Sequence, residues 1–137
     1  MRVVLSAVAA LVLAGSALAA SAGTAKPTPD GTLKAEIAAF NAKNYAAAYA
    51  GYSRKYKAAC PYAKFVAGQK KQRAQIPAGL MLGIKITGVK TAGSTAFLSY
   101  KVLLAGQAVA TIKAPRADKF VKVGSLWFDD VDSQTTC

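Results

Sequence analysis

The sequence predicts an α+β domain, three helices followed by about five antiparallel strands, and three observations lead there. Tyr45, Tyr49, Tyr52 and Tyr56 fall at i, i+4, i+7 and i+11, the spacing of residues on one face of a helix. After Ile76-Pro77-Ala78-Gly79 the period changes from helical to alternating. Glycine-containing turns then part the alternating runs at short intervals, and helices segregated from a meandering sheet define the α+β class.

Met1 to about Ala22 has the layout of a secretory signal peptide. Arg2 supplies the positive start, Val3 to Leu13 the apolar stretch, and Ala17-Leu18-Ala19 or Ala20-Ser21-Ala22 the small-residue cleavage site. That stretch is too short to span a bilayer comfortably, which implies export without an anchor. Residues 23–31, rich in Pro, Gly and Thr, read as a spacer. The domain proper is then 32–137.

The first helix runs from Thr32 to about Lys43, with Leu33, Ile37 and Phe40 on one stripe. The second, Asn44 to Cys60, starts at an Asn cap and gains helix propensity from Ala46, Ala47, Ala48 and Ala50. Its tyrosines require an apolar surface, which the strand-rich half would supply. A third helix starts at Pro61, a residue tolerated in a first turn, and runs to about Arg73.

Leu82, Ile84 and Ile86 alternate with Lys85 and Thr87 in the first strand, and Gly88 marks a bulge. The longest strand, Thr95 to Leu104, carries Ala96, Leu98, Tyr100, Val102 and Leu104 on one face. Ala108 to Ala114 ends at Pro115, and Phe120 to Val123 pairs with Leu126 to about Asp132 across Gly124-Ser125.

The chain holds 18 Lys+Arg against 6 Asp+Glu, a formal charge of +12, and no histidine. The missing histidine removes the commonest general base and zinc ligand. No phosphate loop, GxSxG elbow or metal-ligand cluster is present, so neither a cofactor nor a metal is expected. No acid lies between Glu36 and Asp118, whereas Arg54, Lys55, Lys57, Lys64, Lys70, Lys71 and Arg73 concentrate positive charge on the second and third helices. Such a patch either serves solubility or attracts an anionic cell-envelope polymer. Nucleic-acid binding would rest on charge alone. Cys60 and Cys137, the only cysteines of an exported chain, are expected to form one disulfide.

Three stretches carry a resemblance. Phe40 to Tyr49 (FNAKNYAAAY), Ser94 to Tyr100 (STAFLSY) and Phe120 to Trp127 (FVKVGSLW) resemble the first helix junction, central strand and closing hairpin of the nuclear transport factor 2-like superfamily. Within it, the chain is most similar to small exported bacterial members without assigned activity. The resemblance spans about Thr32 to Cys137 and implies a cone-shaped, ketosteroid-isomerase-like fold with an apolar cavity at its wide end. Tyr45, Tyr49, Tyr52, Phe65, Met81, Tyr100 and Trp127 are the candidates to line it. The same aromatics fill the cone completely in the competing reading, in which they are simply core.

Isomerase-like chemistry in such a cavity needs a carboxylate beside a tyrosine hydroxyl. Asp30 and Glu36 stand at the start and Asp118 in a turn; Asp129, Asp130 and Asp132 lie on the terminal strand, where acids commonly form a solvated edge. No catalytic residue is assigned. The expectation is an exported, non-enzymatic domain binding a small apolar ligand or a cell-envelope partner. The rivals are a cationic adhesion module and a cavity enzyme of isomerase or hydrolase type. A homodimer, formed as such sheets pair face to face, stays open.

Overall fold

The computed structural model describes residues 23–132 and 137; the expected signal peptide, residues 1–22, lies outside them. Four helices precede five strands: α1 (Pro29–Asn41), α2 (Tyr45–Ala50), α3 (Arg54–Ala59), α4 (Tyr62–Ala74), β1 (Leu82–Ala92), β2 (Thr95–Leu104), β3 (Gln107–Ile112), β4 (Asp118–Val123) and β5 (Leu126–Asp129). The α+β class holds, with one more helix than expected. None of these helices is long and apolar enough to cross a membrane.

All strand pairs are antiparallel, and β2 is the centre of the sheet. One edge of β2 pairs with β1 along its length. The other edge is shared: Tyr100–Leu104 pair with β3, and Thr95–Leu98 pair with β4, which continues to β5. The register of β1 shifts between Ile86 and Gly88, where the bulge was expected. Two-residue turns close the hairpins at Gly93-Ser94, Ala105-Gly106 and Gly124-Ser125. At the second of these both residues hold positive φ, 50° and 77°, which suits the right-handed twist of the flanking strands.

The helix expected from Asn44 to Cys60 is two helices. Gly51 is the C-cap of α2, and Ser53 caps α3 by accepting the Tyr56 amide. Between them the backbone leaves the helix to bond with β5: the Asp129 amide donates to the Gly51 carbonyl at 3.0 Å, and the Ser53 amide to the Asp129 carbonyl at 2.7 Å. A contact across the whole domain thus decides the break. The stretch 23–31 also differs from a free spacer. Thr24 and Ala25 are buried, Lys26 bridges to Trp127, and α1 begins at Pro29 rather than Thr32.

Helix α1 is pinned to the sheet near both ends. Thr32 Oγ1 donates to the Trp127 carbonyl of β5 at 2.9 Å. The Asn41 side chain clamps the Leu82 backbone of β1, its Nδ2 donating to the carbonyl at 2.9 Å and its Oδ1 accepting the amide at 3.0 Å. The middle of α1 is thereby held over the inward face of the sheet.

The apolar core is divided. On the sheet side Leu33 packs with Ala96, Leu98, Phe120 and Trp127. On the helix side Tyr56, Cys60 and Phe65 pack with Ala39 and Ala48, flanked by Tyr45, Tyr49, Tyr52, Val131 and Cys137. The tyrosine stripe therefore rests on α4 and not on the sheet: the Phe65 ring lies 5.2 Å from that of Tyr49 and 5.3 Å from that of Tyr52. Cys60 and Cys137 form the expected disulfide, with Cα atoms 5.9 Å apart, and tie the end of α3 to the last residue.

Candidate functional site

Between the two clusters lies a cavity of about 390 Å³. Leu33, Ile37 and Phe40 of α1, Ala48 of α2, Leu82, Ile112 and Val131 give it an apolar wall. The remainder of the lining is polar and comes from six places in the fold: Glu36 on α1, Tyr52 at the α2–α3 break, Gln69 and Gln72 on α4, Tyr100 on β2, Asp118 on β4 and Asp129 on β5. Arg116, exposed, stands at the rim.

The three acids are deeply placed: Glu36 is 7% exposed, Asp118 8% and Asp129 3%. Each is inward for a simple reason. Glu36 lies three residues from Leu33 and four from Phe40, on the buried stripe of α1. Asp118 alternates with buried Phe120 along β4, and Asp129 alternates with buried Trp127 along β5. Asp129 is also fixed through its backbone by Gly51 and Ser53, and its Oδ1 accepts the Val131 amide at 2.9 Å. Asp130, facing the other way, accepts from Ser53 Oγ and pairs with Lys119 at 3.2 Å.

Burial of this kind penalises ionisation and shapes the protonation of the site. Burial, with the neighbouring Asp129 and Asp118 carboxyls, pushes Glu36 well above the ordinary range. Burial and the Asp118 charge raise Asp129 as well. Asp118 is pushed up to about 6 by burial, opposed by the Tyr100 hydroxyl, which donates to its Oδ2 at 3.1 Å. Above about pH 6 Asp118 carries its charge inside the cavity, close to two carboxyls whose ionisation burial disfavours. Burial and the same acids raise Tyr52 and Tyr100, so both phenols keep their protons.

Two carboxyl oxygens in the lining, Glu36 Oε1 and Asp118 Oδ1, are buried without a hydrogen-bond partner. Such groups are costly unless something satisfies them.

No protein family, curated protein or solved structure matches this chain.

Of the seven residues expected to line a cavity, Tyr52 and Tyr100 stand in this one. Tyr49 donates to the Cys60 carbonyl at 2.8 Å, and Phe65 is buried in the helix-side cluster. Trp127 is buried on the sheet side behind Leu33, Met81 is 66% exposed, and Tyr45 joins Lys43, Lys70 and Arg73 around an open groove. Of the basic residues, Arg54, Lys55, Lys64, Lys70 and Lys71 are exposed on α3 and α4. Lys57 folds back, its Nζ donating to the Ala50 carbonyl at 3.0 Å, and Arg73 donates to the Leu80 carbonyl at 3.3 Å. The acids at the centre of the site were not among the expected residues. The signal for Glu36 was a carboxylate on the apolar stripe of a helix; for Asp118 and Asp129 it was an i, i+2 relation to an inward aromatic.

Proposed function

We propose that this is an exported domain of the cone-shaped, nuclear transport factor 2-like kind, whose cavity binds a small organic molecule. The pattern of residues 1–22 and the disulfide support export. Four helices followed by one antiparallel sheet with a long central strand support the fold assignment. The ligand reading rests on one observation: a cavity with an apolar wall on one side and convergent carboxyl and phenol groups on the other, the usual composition of a small-molecule site. The expected ligand gains a polar head; a purely apolar one would leave the buried oxygens unsatisfied.

Native mass spectrometry of protein purified from its own host tests this reading, together with titration of the neutral fluorophore N-phenyl-1-naphthylamine. A bound species, or a saturable signal lost when Phe40→Trp fills the cavity, is expected. An empty protein that also ignores the fluorophore would sink it.

The hydrogen bond from Tyr100 to Asp118 favours a second reading, a cavity enzyme working by proton transfer. Buried carboxyls with raised pKa values, one of them bonded to a phenol, are the kind of groups that general acid–base chemistry uses. Incubation of the recovered ligand with the protein separates the two readings: a binding domain returns it unchanged, and an enzyme converts it.

A further inference from the structure

The hydrogen-bonding character of the cavity is lopsided. Glu36 Oε1 and Asp118 Oδ1 can each accept a hydrogen bond and receive none. A separate observation comes from α4. Gln69 is 8% exposed and faces the cavity, and its side-chain amide makes no hydrogen bond to any other described residue. Neither phenol in the lining meets this demand: Tyr100 donates to the other oxygen, Asp118 Oδ2, and Tyr52 makes no hydrogen bond to Glu36 Oε1 or Asp118 Oδ1. Among the described residues no lysine lines the cavity, and Arg116 at the rim is exposed.

The distribution of charge sharpens the contrast. Half of the six acids of a chain with 18 basic residues are gathered in one buried place. Buried carboxyls are tolerated when a positive partner or several donors reach them, and their own fold supplies neither for these two oxygens.

We infer that the cavity recognises an organic cation: a primary or secondary ammonium carried on an apolar body, with its N–H groups directed to Glu36, Asp118 and Gln69. An ammonium supplies two or three donors from one atom and a charge opposite to that of the wall. The body lies along Leu33, Ile37, Phe40 and Ile112. The inference rests on the cavity being a ligand site and adds the class of ligand.

The test uses three probes of one shape on the purified protein: cyclohexylmethylamine, cyclohexylmethanol and cyclohexanecarboxylate, titrated calorimetrically at pH 7.5. The amine is expected to bind at least tenfold more tightly than the alcohol, with the carboxylate weakest. Glu36→Gln and Asp118→Asn should each reduce that preference severalfold. Should either variant fail to fold, the side-chain amide signal of Gln69 in wild-type protein gives an independent readout, and it should shift with the amine. An alcohol that binds as tightly as the amine would overturn the cation and leave the ligand site standing. Amine-induced shifts confined to the outer face of the sheet would overturn it too. Failure of all three probes, in protein that also ignores N-phenyl-1-naphthylamine, would remove both.

Discussion

Replacing Asp118 by Asn should change how stability depends on pH. The carboxyl of Asp118 is raised from 3.8 to about 6 in the folded protein, chiefly by burial. The sign follows from linkage. Below about pH 4 the group is neutral folded and unfolded, and its contribution to stability is complete. As pH rises from about 4 to about 6 the unfolded chain ionises first, so stability falls; above the folded value the loss levels off. The shift is roughly two units, and at 1.36 kcal/mol per unit the loss is about 3 kcal/mol. Asparagine keeps an acceptor for the Tyr100 hydroxyl and carries no charge. The variant should therefore gain on wild type by about 3 kcal/mol between pH 4 and pH 7. It also relieves Glu36 and Asp129 of a neighbouring charge, an effect of the same sign. Urea unfolding across that range, followed by fluorescence of the single, buried Trp127, measures the difference. A difference that stays constant with pH, or moves against the variant as pH rises, would refute the burial of an ionisable Asp118.

Tyr100→Phe removes the donor that steadies the Asp118 charge and should cost about 2 kcal/mol at pH 7. A carbon-13 titration of Asp118 should then show its midpoint above 6, and an unmoved midpoint would count against the bond. Reduction of the disulfide, or Cys137→Ser, releases a loop of 77 residues and should lower stability by about 4.5 kcal/mol in the chain-entropy treatment. Thiol titration should find no free sulfhydryl before reduction. Gly51→Ala should destabilise by about 1–3 kcal/mol, because a Cβ there would overlap Thr24 Oγ1. The φ of Gly51 is −76°, so the position requires space and not a special backbone; an unchanged urea midpoint would contradict this.

The sheet was legible in the sequence because its signals are local. Alternation assigns Ala96, Leu98 and Tyr100 to one face whatever the neighbours are, and the glycine turns fix where strands end. The tyrosine helix misled for the opposite reason. Its spacing satisfies a single long helix, and the break at Gly51–Ser53 is decided by hydrogen bonds to Asp129, almost eighty positions away. Gly51 and the capping Ser53 were weak local hints of it. The acids were hidden by habit: charged residues usually face water, so Glu36 reads as a helix start and Asp118 as a turn. Their partners in the cavity come from separate elements, and nothing in the chain order announces that these elements converge. Tyr52 and Tyr100 were visible as candidates because an aromatic ring needs burial and a phenol needs a partner.

The segregation of charge makes the domain a positively coated vessel with a negative interior. A cation approaching from solution meets repulsion over most of the exterior before it feels the attraction within. Dissolved salt damps the long-range repulsion more than it damps interactions in the shielded interior. Entry of such a guest would thus accelerate as ionic strength increases, the reverse of ordinary steering between opposite charges.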